Sequence, residues 1–231
     1  MFLGHYGVAL AIKRAEPKIS LGVLFLACQL ADLLWGCFLL LGWEHVRIIP
    51  VDNPLLTFDF IDYPISHGLV GMTCAGIGAA IVYYSWPTRD TSRHFRASVI
   101  VGLMVVSHYL LDVIVHLPDL PLVGDDSPKL GLGLWNHFGL SVALELLMLA
   151  IGAVAYATLK SRRHPVRPAR LVSVLIVLLG VYVAAILGPP PPSVTVVAAG
   201  DIVFLLVMVA FGAWADKAVS PAKPTTPHPS R

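Results

Sequence analysis

Charge is what this 231-residue sequence lacks. Asp, Glu, Lys and Arg make up 13% of it and hydrophobic residues 57%, against roughly 25% charged residues in an ordinary soluble domain. Such a chain cannot dress a water-facing surface, so a soluble domain is excluded and lipid is the expected solvent. The net charge is only +2 and the basic residues sit in short segments between apolar runs, so nothing points to a nucleic-acid partner. Cysteine is scarce too. Cys28 and Cys37 share one apolar run and Cys74 lies in the next, a spacing that gives no disulfide framework and reads as reduced packing residues. The opening residues lack the basic-then-apolar order of a signal peptide, since His5 interrupts them and Lys13 and Arg14 follow. The first segment is therefore expected to be retained. Also missing are the period-2 alternation of a membrane barrel and any clear internal repeat.

What remains is a series of long apolar runs. Residues 19–43, 65–86, 95–117, 134–159, 171–188 and 196–215 each approach the ~20 residues a helix needs to cross the hydrocarbon core, and most are bounded by charge, Pro or Trp. The expected fold is all-α, a polytopic bundle of six transmembrane helices. Residues 1–160 form its core, residues 171–215 two accessory helices and residues 216–231 a disordered tail. The tail follows from its Pro, Ser, Thr and Lys content. Lys13, Arg14 and Lys18 precede the first run, Arg89, Arg93 and Arg96 follow the second, and Lys160, Arg162, Arg163, Arg167 and Arg170 follow the fourth. The positive-inside rule makes these segments, and both termini, cytoplasmic. Asp52, Asp59, Asp62, Asp119, Asp125 and Asp126 fall in the alternate loops. Pro189-Pro190-Pro191-Pro192 reads as a stiff connector between the last two spans.

An ionisable side chain in a span costs ~2.5–3.5 kcal/mol on insertion scales, so each needs a partner or a task. They are Asp32 in the first run, His67 at the start of the second, His108, Asp112 and His116 in the third and Glu145 in the fourth, whereas the last two runs hold only Asp201 near an end. Any chemistry is therefore expected in the first four spans. In Ser107-His108-Tyr109-Leu110-Leu111-Asp112 the His and Asp are four apart, so a helix stacks them on one face, and His116 continues the stripe. Such a pair suits one metal ion, or equally a hydrogen bond between helices.

Residues 2–14 look helical, and Ala15-Glu16-Pro17-Lys18 should turn the chain, because Pro disfavours helix in the residue before it. The expected result is a hairpin with the first span. His5, about 12 residues before Pro17, and Asp32, about 15 after it, then reach a similar depth at ~1.5 Å per residue, and so does His108. His67 and Asp112 should lie somewhat nearer the outer surface. Glu145 and His116 suit supporting or interfacial roles. The Cys28 thiol is a possible further ligand, though core packing accounts for it as well.

Gly4-His5, Leu30-Ala31-Asp32, Ile65-Ser66-His67-Gly68-Leu69 and Ser107-His108-Tyr109-Leu110-Leu111-Asp112 together resemble a family of bacterial inner-membrane proteins regarded as membrane-bound metal-dependent hydrolases, which includes a LexA-regulated member. The resemblance covers the first half of the chain. It implies a metal-ligand role for His5, Asp32, His67, His108 and Asp112, and an inner-membrane location. Many members carry a second Asp two residues after the position of Asp32 and an Arg-rich His segment before that of His67. Here those places hold Leu34 and residues 58–64, so the chain looks like a divergent branch in which a second metal would need Asp62.

Three imidazoles and two carboxylates favour Zn²⁺, with Mn²⁺ or Fe²⁺ as alternatives. Such an ion lowers the pKa of bound water towards ~7, for attack on a phosphoester or carbonyl, with Asp112 or Asp32 as the base. Membrane lipid, or another amphiphile entering from the membrane or its acidic outer side, is the expected substrate. Residues 44–64 and 117–133 are long enough to cover such a site, and equally read as simple connectors rimmed by interfacial Trp43, Trp86 and Trp135. The same residues would also serve a permease or proton carrier, for which broken helices or inverted repeats would be the signature; the sequence shows neither clearly. A non-catalytic bundle tied together by polar contacts is the third possibility.

Overall fold

The computed structural model describes residues 1–87, 91–159 and 166–217, with backbone alone at residues 91–93. Arg89, residues 160–165 and the tail from residue 218 lie outside the described residues, and with them Lys160, Arg162 and Arg163 of the basic segment after the fourth run and all but the first two residues of the expected disordered tail; Asp216 is described and buried. The protein is mostly helical. Its helices are α1 (Leu3–Ala15), α2 (Leu21–Cys28), α3 (Leu30–Leu41), α4 (Leu69–Ser85), α5 (Thr91–Val115), α6 (Phe138–Ala157), α7 (Pro168–Leu187) and α8 (Val194–Ala215). Two small antiparallel hairpins occupy the loops: β1 (His45–Ile48) with β2 (Phe58–Asp62), and β3 (Leu120–Pro121) with β4 (Lys129–Leu130).

Local chemistry sets most of the boundaries. α1 stops at Ala15, ahead of the Glu16-Pro17 step, and Ser20 caps α2 by accepting from the Gly22 amide at 3.3 Å. Gly42 ends α3 in the left-handed region at φ 69°, where glycine has no Cβ to clash. Pro168 opens α7 and Ser193 caps α8.

Among the described residues, four helices are long and apolar enough to cross a membrane: residues 94–115 of α5, and α6, α7 and α8 in full. The expected first span, residues 19–43, is not one straight helix. It breaks at Gln29 into α2 and α3, which diverge by 55°, and as a single bent span it makes a fifth crossing. α4 has 17 residues, about 25 Å at ~1.5 Å per residue, short of the ~30 Å hydrocarbon core. Burial separates the helices by role. Half of the apolar window of α5 is buried inside the protein, against 17–22% for α6, α7 and α8. Those three present Leu147, Ile151, Val154, Ile176, Val203 and Leu206 outward, as lipid-facing helices do.

α5 thus forms the axis around which α1, α2 and α4 are packed. Two glycine contacts let backbones touch. A Cβ on Gly76 of α4 would stand 2.8 Å from the Gly102 carbonyl oxygen of α5, and one on Gly152 of α6 would stand 2.1 Å from the Gly7 carbonyl oxygen of α1. These are the small-residue contacts by which membrane helices associate where lipid supplies no hydrophobic drive. The hairpin turn is anchored by Lys13. Its fully buried ammonium donates to the carbonyls of Pro17 and Ile19 and to Asp216 Oδ2, at 2.7, 2.7 and 2.6 Å.

Candidate metal centre

The site begins at the helix break. In a continuous helix the Cys28 carbonyl would accept from the amide four residues on; the turn at Gln29 (φ −116°, ψ 13°) leaves it open, and His108 Nδ1 sits 2.7 Å from it. A carbonyl can only accept, so Nδ1 carries the proton and, in the neutral ring, Nε2 presents its lone pair. That lone pair faces Asp112 Oδ2 at 3.0 Å and Asp32 Oδ1 at 3.6 Å.

His67 is held by a relay with the same outcome. Glu44, at the end of the turn after α3, accepts the amides of Ile65 and Ser66 at 2.8 Å each and the Ser66 hydroxyl at 2.5 Å. With its proton given to Glu44, Ser66 Oγ is left to accept from His67 Nδ1 at 2.8 Å. His67 Nε2 then points at Asp32 Oδ1, 3.3 Å away, and at Asp112 Oδ2, 3.9 Å away.

A third imidazole, His116, repeats the pattern just past the end of α5, one turn beyond Asp112. His116 Nδ1 faces the Asp119 carboxylate at 3.1 Å and Nε2 faces Asp112 Oδ2 at 3.7 Å. Tyr63 donates to the same Asp119 oxygen with a 2.8 Å hydrogen bond. Burial, with Asp119 adding to it, pushes the Tyr63 phenol above its ordinary pKa, so it remains a donor.

His5 arrives from α1, stacked on His108 with ring centroids 3.8 Å apart and Nε2 3.1 Å from Asp112 Oδ1. Glu145 of α6 positions that helix. Its carboxylate accepts the amides of Phe2 and Gly4 at 2.8 and 2.7 Å, two of the donors a helix start leaves unpaired. The Met1 amino group lies 2.6 Å from Asp112 Oδ1.

The five expected ligands therefore meet in one place. His5, His108 and Asp112 form one group, and Asp32, His67 and His108 a second that shares His108; within each group the ligand atoms lie within 4.8 Å of one another. Ligands bound at ~2.1 Å in tetrahedral or octahedral geometry stand about 3.0–3.4 Å apart; the His108–Asp112 and His67–Asp32 separations of 3.0 and 3.3 Å fall in that range, and the His108–Asp32 separation of 3.6 Å lies just above it. His108 Nε2 is buried with no hydrogen-bond partner. Lone pairs directed at carboxylates repel unless a proton or a metal cation lies between them, and a buried set of imidazoles and carboxylates at this spacing fits a divalent ion.

Other candidates sit elsewhere. The Cys28 thiol donates to the Phe25 carbonyl, and it is the backbone oxygen of Cys28 that serves the site. Asp62 pairs with His45 at 2.8 Å on the exposed β1–β2 hairpin, away from the cluster. Asp201 faces the cavity beside the site, so the last two spans do contribute to it. Glu44, Ser66, Asp119 and the Cys28 carbonyl carried no signal in sequence, being ordinary polar or backbone groups outside the apolar runs or inside them. Only the Ser66-His67 adjacency was open to view.

A cavity of about 960 Å³ opens onto Asp32, His67, Asp112 and His116. Its walls come from the start of α1, from α3, from residues 49–60, from the second half of α7 and from the first half of α8. Of the two loops long enough to cover the site, residues 49–60 of the first line the cavity, and none of residues 117–133 is in its lining. No family model, curated protein or solved structure matches the chain.

Proposed function

We propose that this protein is a membrane-bound metal-dependent hydrolase that cleaves a lipid or other amphiphile with a metal-activated water. The supporting observation is the shared orientation of His67, His108 and His116, each engaged at Nδ1 and each turning Nε2 towards Asp112 or Asp32. Outer hydrogen bonds that fix ring orientation and tautomer are what metal-binding histidines carry. The ion would be held by His5, Asp32, His67, His108 and Asp112, with Zn²⁺ favoured by the nitrogen-rich donor set and Mn²⁺ or Fe²⁺ as alternatives.

A divalent ion there supplies Lewis acidity and a water of lowered pKa. The chain does the rest. Asp32, a quarter exposed at its side chain whereas Asp112 is sealed at 2%, borders the cavity and is the better-placed group to take a proton from an incoming water. Asp112, contacted by His5 and His108 and approached by His67 and His116, holds the imidazoles in register. The apolar walls exclude bulk water and receive the hydrocarbon part of the substrate.

The proposal extends to the setting. It takes α4 as a sixth crossing, places both termini on the cytoplasmic side of a bacterial inner membrane, and counts the chain as a divergent member of the hydrolase family it resembles. Metal analysis of purified protein tests the centre of it. The expected result is a stoichiometric divalent ion that is lost in His108→Ala and Asp112→Asn; folded wild-type protein without metal under metal-replete conditions refutes the reading. Product release from a lipid mixture then tests hydrolysis.

One observation favours a second reading, a cation or proton carrier. The 55° break at Gln29 frees a backbone carbonyl beside buried carboxylates, as the discontinuous helices of transporters do. Ion flux into liposomes without lipid cleavage would select it.

A further inference from the structure

Charge on the cavity wall is one-sided. Its lining includes Asp32, Asp52, Asp112, Glu145 and Asp201 and no Lys or Arg. The Met1 amine, which also lines it, already contacts Asp112. Three of the carboxylates have duties: Asp32 and Asp112 face the imidazoles, and Glu145 accepts the α1 amides. Asp52 is exposed. Asp201 is different, because its Oδ2 is buried with no hydrogen-bond partner.

A second unmet group shares the cavity wall. Trp35 is only 7% exposed, and its indole N–H has no partner among the described residues. A buried donor and a buried acceptor are each costly when unsatisfied, so a ligand satisfying both recovers that cost. Phe2, Phe58, Val181, Ile186 and Phe204 line the same space, and about 960 Å³ is at the upper end of the usual range for ligand pockets.

We propose that the cavity binds an amphiphile with an ammonium-bearing head, its cation on Asp201, an acceptor oxygen such as an ester carbonyl on the Trp35 N–H, and its hydrocarbon tail along the aromatic and aliphatic walls. In the metal-free protein a free anionic head is repelled by the same carboxylates. This rests on the hydrolase reading only for the fate of the bound molecule, and binding itself is independent of turnover.

The test uses full-length protein in a neutral maltoside detergent, stripped of metal by a chelator, with two probes of equal chain length. Glycine dodecyl ester carries an ammonium and an ester carbonyl; monododecyl succinate carries a carboxylate in place of the ammonium. Calorimetric titration should give the glycine ester at least tenfold tighter binding than the succinate. Asp201→Asn should abolish that preference and Asp201→Glu should restore most of it. Gly200→Phe provides a check on location, because Gly200 lines the cavity and a Cβ there meets nothing within 4 Å; the bulky ring should block both probes while the unfolding temperature holds. Equal binding of the two probes, or an unchanged preference in a folded Asp201→Asn protein, overturns the proposal. If the preference is found in a protein that proves unable to bind metal, the hydrolase reading falls and the ligand class stands.

Discussion

The position of His5 depends on a glycine in another helix, and Gly152→Ala puts a magnitude on that dependence. The added Cβ would stand 2.1 Å from the Gly7 carbonyl oxygen and 2.7 Å from the Gly7 Cα, whereas ordinary contact begins near 3.4 Å. Both atoms are backbone, so no side chain can yield, and α1 must shift by about 1.3 Å relative to α6. It cannot shift towards α5, because His5 already stacks on His108 at 3.8 Å. It must slide or lift, and a His5–Asp112 contact of 3.1 Å lengthened by ~1 Å leaves the hydrogen-bonding range of ~2.7–3.2 Å. Overpacking of this kind costs ~1–3 kcal/mol. Metal affinity, measured by chelator competition, should fall at least tenfold, as it does when the partners that orient ligands are lost. Gly180→Ala is the contrast. A Cβ at Gly180 meets nothing within 4 Å, so replacing a helical glycine there should stabilise by ~0.5–1 kcal/mol and leave metal binding alone. Wild-type metal affinity in Gly152→Ala would refute the claim that backbone contact with α6 holds His5 in place.

Other perturbations have equally direct readouts. Ser66→Ala removes the link between Glu44 and His67 and should weaken metal binding ~10–100-fold without unfolding the protein; an unchanged affinity in a chelator competition would count against the relay. Lys13→Met strips the ammonium from the carbonyls of Pro17 and Ile19 and should destabilise by ~1–3 kcal/mol for each buried acceptor left unmet, seen as a lowered thermal midpoint. Glu145→Leu strips the acceptor from the Phe2 and Gly4 amides. It should destabilise by ~1–3 kcal/mol for each orphaned donor and detach the start of α1, visible as faster amide exchange there.

Much of the site was legible in the sequence because intramembrane charge is costly and helical spacing is regular. His108 and Asp112 are four apart, so their common face follows from helix geometry alone, and His5 and Asp32 reach the same depth once Pro17 turns the chain. The hairpin could be foreseen for the same reason. The break at Gln29 could not. Residues 21–41 are apolar with no Pro, and Gly22 and Gly36 stand away from the bend, so the local signal is that of one continuous span. Asp201 was set aside for lying near a span end, yet the packing of α8 on α2 and α3 brings it to the cavity.

Sequence by itself determined the solvent, the helical class and the identity of the imidazoles and carboxylates, because these depend on composition and on contacts within about one helical turn or one hairpin. Tertiary structure alone decided which atoms meet. Convergence of α1, α3, α4 and α5 on Asp112, the Glu44–Ser66–His67 relay and the use of the Cys28 carbonyl all join residues tens of positions apart. Such contacts are set by backbone approach at Gly7–Gly152 and Gly76–Gly102 and by the bend at Gln29, which no local periodicity encodes.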